Sequence, residues 1–169
     1  MTNEVRLYEL RYDEAKTYVN VLLFVAGNIL LPRMFHLFHM GGPTWQPIFF
    51  FTLVGAYKYG WRVGLLTALF SPLLNHAFFG MPSSVMLPVV MAKSVLLAAT
   101  AALVARHRAG VTLLSFAFAV LVSQVLGALL ACMFFVETSV ALRVFCTGIP
   151  GMLLQILGGY TLIRAFNKR

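Results

Sequence analysis

Long apolar runs alternate with short breaks along the whole chain, and the runs predict helices over about 17–38, 48–57, 63–79, 85–105, 111–136 and 144–166. A membrane-spanning helix needs roughly 20 apolar residues, so most of these runs are long enough to cross a bilayer. The run at 48–57 is short and is expected to be tilted or partly buried. The breaks differ in character. Met40–Pro47 (MGGPTWQP) is rich in Gly and Pro, Lys58–Arg62 and Arg106–Gly110 are basic, Gly80-Met81-Pro82 carries no charge, and Glu137–Arg143 is a short polar link. Ahead of the first run, Val5, Tyr8, Tyr12 and Ala15 recur on one helical face behind Asn3 and Glu4. That spacing predicts an amphipathic lead-in, lying on the membrane surface or extending the first span.

Composition agrees with this pattern: 60% of the 169 residues are hydrophobic and 11% charged, against about 25% charged in soluble domains. The expected fold is an all-α integral membrane protein, a single bundle of six transmembrane helices. It comprises an N-terminal segment 1–16, a transmembrane domain 17–166 and a tail 167–169. A net charge of +8 would point to nucleic acid in a soluble chain. Here ten of the thirteen Lys and Arg residues fall at alternate breaks, the distribution of cytoplasmic loops. Both termini are therefore expected on the cytoplasmic side, and no nucleic-acid partner is expected. The run 19–31 meets Pro32-Arg33 without a small-residue cleavage site, so it reads as a first span and not a signal peptide. Cys132 and Cys146 make no disulfide framework.

Two stripes of small residues, Gly60/Gly64/Ala68 and Ala119/Ser123/Gly127/Ala131, let helix backbones approach closely. Packing inside the bundle is the first expectation, and docking to a separate membrane subunit the second.

Lys93 lies inside the apolar stretch 88–105. A cation at bilayer depth costs roughly 2.5–3.5 kcal/mol on insertion scales and normally faces protein or a water-filled cavity. Placed by helical rise, Lys93 and Gln155 are similarly deep, Gln124 is mid-span, Asn75, His76, Arg33 and His36 lie nearer the outside, and Glu137 and Arg143 sit at the outer rim. The polar set opens toward one half of the membrane. A pore should be polar along its length, whereas a few polar groups in an apolar, aromatic setting describe a small-molecule pocket. Lys93, Arg33 and Arg143 favour an anionic ligand such as a carboxylate. The packing alternatives are a Lys93–Glu137 pair, Gln124 and Gln155 as helix bridges, and His36, His39 and His76 as interfacial residues. No catalytic group, metal site or cofactor is expected: the chain has no P-loop, no HExxH and no acid in the middle of any span.

A first span ending in Pro and Gly-Gly-Pro, a short second span, then GWRVGLLTALFSPLLNHAFFGMP, KSVLLA and GIPGMLLQILGGY resemble the substrate-binding S component of energy-coupling factor (ECF) vitamin transporters. The resemblance covers most of residues 17–166. It implies a six-helix subunit of the bacterial cytoplasmic membrane that captures a vitamin or vitamin precursor from outside without converting it. It also implies partners: a membrane coupling subunit and two cytoplasmic ATPases. Carried over, it puts Trp45 and Gln46 in a lid, and Lys93, Gln124, Glu137, Arg143 and Gln155 in or near the site. The first span departs from the family's alanine ladder, offering only Ala15 and Ala26-Gly27. The rival expectations are an MreD-like structural protein of the cell-shape machinery, with no enclosed volume, and a small intramembrane enzyme acting on lipids through His76 and Asn75.

Overall fold

A computed structural model of the chain describes residues 8–37, 41–107, 111–134 and 136–167. Among them the regular structure is helical, without strands. The helices are α1 (Ala15–Leu37), a single turn α2 (Gly42–Trp45), α3 (Phe50–Tyr59), α4 (Trp61–Phe79), α5 (Leu87–His107), α6 (Leu113–Phe134), α7 (Thr138–Thr147) and α8 (Ile149–Asn167), with a 3-10 turn at Pro47–Phe49. The stretches Ala15–Phe35, Leu87–His107, Leu113–Phe134 and Ile149–Phe166 are long and apolar enough to cross a membrane, which marks a membrane-embedded, all-α protein. Pro32 and Pro72 sit inside α1 and α4; membrane helices tolerate this because neighbouring groups satisfy the freed carbonyls.

The short helix α3 is the centre of the bundle. It packs against α1, α4, α5 and α8, and every residue from Thr52 to Lys58 is buried. Gly64 of α4 makes the closest of these approaches possible: a Cβ there would fall on Ala56 of α3. Ala68 is fully buried, as are Ala119 and Val120 on α6. Most of both small-residue stripes is thus spent on packing within the bundle.

One buried residue ties the entry of α3 to its neighbours. Asn28 of α1 donates to Thr52 Oγ1 and Ser71 Oγ, each at 3.0 Å, and its Oδ1 accepts the Phe51 N–H at 3.0 Å. That N–H is one of the first four of a helix, which have no partner within the helix. Asn75 Nδ2 then donates to the Asn28 carbonyl at 3.1 Å and to the Ser71 carbonyl at 3.0 Å.

Three local expectations change. Residues 8–14 are not helical: the Tyr8 and Leu10 N–H groups bond to the carbonyls of Lys58 and Tyr59, supplying partners to the end of α3. The glycine- and proline-rich break contains α2 and the 3-10 turn, each with a proline in its first turn. The polar link and the start of the last run form α7, which ends at Gly148, and α8 begins afresh with Pro150 in its first turn. The expectations for Asn3, Glu4, Val5, His39 and the turn at 108–110 lie outside the described residues, as does the side chain of His36.

Basic groups gather at one end. Lys58 Nζ lies 4.6 Å from the Phe166 ring centroid, and the Arg62 guanidinium 5.4 Å from that of Tyr12. The turn 80–86 and the link at 136–137 lie at the opposite end.

Candidate functional site

Ten residues of helix rise about 15 Å, half the thickness of a bilayer core. So α3 fills the centre of the bundle at the basic end only. Beyond its first turn, toward the other end, the centre is a cavity of about 680 Å³. Pro47, Ile48 and Phe49, the residues that lead into α3, form one side of it, and no residue of α3 itself lines it. The remaining walls are the ends of the longer helices: Pro32 and Arg33 of α1, Asn75 and Phe79 of α4, Val89, Val90 and Lys93 of α5, and Ala128 and Ala131 of α6. Val140, Ala141 and Val144, one face of α7, close it laterally.

Lys93 enters the cavity about 9 Å below the start of α5, by helical rise. Its methylene stem runs over Gly127 of α6: a Cβ at Gly127 would lie 2.7 Å from Lys93 Cγ. The missing side chain is what seats the stem. The ammonium has no hydrogen bond or ion pair among the described residues, where the salt bridge is Arg11–Asp13 at the basic end.

The other polar lining groups are differently committed. Arg33 is exposed and its guanidinium lies 3.4 Å from the Phe79 ring centroid, a cation–π contact. Both Asn75 amide hydrogens are spent on the carbonyls of Asn28 and Ser71, so Asn75 offers the cavity only an acceptor. Gln46 is buried in a left-handed conformation, φ 44° and ψ 44°, and its Oε1 accepts from Gln124 Nε2 at 2.6 Å. Its Nε2 lies against Gly148. Among the described residues no acid lines the cavity.

Of the residues singled out from the sequence, Arg33, Gln46, Asn75 and Lys93 therefore share one cavity. Gln124 stands behind Gln46. Gln155 is fully buried outside the lining, with neither amide atom bonded among the described residues. His76 Nδ1 lies 2.7 Å from the Pro82 carbonyl and does not line the cavity. Trp45 packs its ring 5.6 Å from that of Phe35, while its backbone carbonyl meets Gly151 of α8. Glu137 and Arg143 are exposed and do not line the cavity. Among the described residues the lining is aliphatic more than aromatic, with Phe49 and Phe79 as its rings. Cys132 and Cys146 are both free thiols, and no cluster of metal-ligating side chains occurs among the described residues.

The α7 wall was missed from the sequence. Its signal was the i, i+1, i+4 spacing of Val140, Ala141 and Val144, one apolar helical stripe, hidden among the charges of Glu137 and Arg143. No family model, curated protein or solved structure matches this chain.

Proposed function

We propose that this chain is a substrate-capture subunit of an ATP-driven micronutrient importer, an S component of the ECF type. It would bind a small organic anion from the outer side of the bacterial cytoplasmic membrane without converting it. The observation that carries this reading is the cavity above the half-length central helix. Its size falls within the roughly 300–1,000 Å³ of small-molecule sites, and its composition, apolar walls with a few polar groups, is also theirs.

In the proposed topology α1, α3, α4, α5, α6 and α8 are the six spans, α3 incomplete, with both termini inside. The gathering of basic groups at the end opposite the cavity supports this orientation, and puts the cavity mouth outside. The chain has no P-loop, so energy would come from partners, a membrane coupling subunit and two ATPases. Gly64 sits against Ala56 of α3 and Ala98 of α5, Ala68 is fully buried and Gly60 faces Tyr8 and Glu9, so this stripe is not offered to such a partner. The exposed Ala15 and Ala26 of α1 are the small residues left on that helix. An MreD-like structural role gives no account of a half-open cavity of this size.

Native mass spectrometry of the full chain, purified from cells grown in rich medium, tests the reading. The expected result is a bound small molecule, lost when Ala131 is replaced by Trp to fill the cavity. Protein that carries no small molecule from any growth medium would sink it.

A further inference from the structure

The chemistry of the captured molecule follows from how the lining groups are already committed, and this inference rests on the capture reading above. We infer that the site takes an organic monoanion, a single carboxylate on an apolar body, with the carboxylate seated on Lys93.

The charge balance comes first. Among the described residues the cavity is lined by two cations, Arg33 and Lys93, and by no acid. Glu137, the nearest acid in sequence to any wall, is exposed and does not line it. The two cations are not equivalent. Arg33 is exposed, and its guanidinium already lies 3.4 Å from the centroid of the Phe79 ring. Lys93 is half-buried, held by its stem on Gly127, and its ammonium bonds to nothing among the described residues. A desolvated ammonium needs an opposite charge, and in this cavity only a bound molecule can bring it.

The neutral groups narrow the class further. An anion needs donors, and the neutral ones on the lining are few. Both Asn75 amide hydrogens go to backbone carbonyls. Gln124 spends a hydrogen on Gln46, while the Gln46 amide nitrogen and the Ser83 hydroxyl, unbonded among the described residues, remain to serve a carboxylate's second oxygen. A phosphate or a dicarboxylate would bring a second negative charge, for which the lining offers only Arg33, already stacked on Phe79. One carboxylate on Lys93 pairs the half-buried ammonium and leaves that stack in place. The rest of the surface, Ile48, Phe49, Met86, Val89, Val90 and Val140 among it, accepts hydrocarbon.

The test uses the full chain in lipid nanodiscs, with empty nanodiscs subtracted. The probes are phenylalkanoates of increasing chain length, their carboxamides and the matching diacids, offered together at equal concentration and read by mass spectrometry of the retained fraction. At least one phenylalkanoate is expected to be retained at least tenfold over its carboxamide and its diacid. Lys93→Met, which keeps the stem on Gly127, is expected to abolish that preference, Lys93→Arg to keep it, and Arg33→Gln to change it less than threefold. Carboxamides held as well as acids, diacids preferred, no acid retained, or acid preference surviving in Lys93→Met would each overturn the inference. The capture reading is judged separately. A co-purified molecule that persists in Lys93→Met but is lost in Ala131→Trp overturns the anion assignment and leaves capture standing; protein that carries no molecule overturns capture itself.

Discussion

Two polar residues placed deep in this bundle follow opposite rules. Asn28, fully buried, has its amide satisfied from three sides by Thr52, Ser71 and the Phe51 N–H, as buried polar groups generally are. Lys93 has its stem packed and its charge unpaired among the described residues. A group left in that state costs stability, so its removal should restore some. Lys93→Met, in protein stripped of any bound molecule, is expected to raise the thermal midpoint, by a gain on the order of 1 kcal/mol once partial exposure is allowed for. Thermal unfolding in detergent, followed by circular dichroism, measures this directly. A fall in the midpoint would mean the ammonium has a protein partner and is structural. Asn28→Leu should do the reverse, because it strands the Phe51 N–H in the core at a cost of roughly 1–3 kcal/mol; a midpoint that holds within a degree would contradict the network.

At the scale of elements, a helix too short for its neighbours makes the site. The apolar run that becomes α3 was readable as short, and Lys93, Asn75 and Arg33 were readable as lying toward one end, because depth along a helix follows from residue count alone. Two things were not readable. Rotation about the helix axis decides whether a polar side chain meets the cavity or the packing behind it. Gln155 and Gln124 were placed at sound depths yet lie outside the lining. The segments between spans were also opaque: α2 and α7 are ten residues or fewer, and short helices are held by tertiary contacts more than by propensity. The central placement of α3 makes a testable demand on α4. Gly→Ala inside a helix ordinarily stabilises by up to about 1 kcal/mol. At Gly64 the new methyl would meet the Ala56 backbone at 2.8 Å, and backbone cannot step aside as a flexible side chain can. Gly64→Ala is expected to lower stability by about 1–2 kcal/mol net, in the range of core overpacking. A thermal midpoint equal to or above the parent protein's would show that α3 and α4 are not in this contact.

Across the whole molecule, the two ends of the bundle are chemically distinct, and that difference gives the chain its proposed direction. Basic residues gather at one end, Lys58 on Phe166, Arg62 on Tyr12 and Arg164 on Tyr160, as at a cytoplasmic interface, against the single Arg33–Phe79 pair described at the other. The other end carries the cavity, the uncharged turn through Pro82 and Ser83, and the two cysteines, both free thiols. Cys146, on α7, is exposed, whereas Cys132, on α6, is half-buried, so one natural thiol reports orientation without any engineered site. In intact spheroplasts a charged, membrane-impermeant thiosulfonate is expected to label Cys146 much faster than Cys132, at a rate unchanged by lysis. Cys146→Ser should remove most of the signal. Labelling that appears only after lysis would turn the molecule over, placing the cavity mouth inside the cell, and capture from outside would then be impossible whatever the cavity binds.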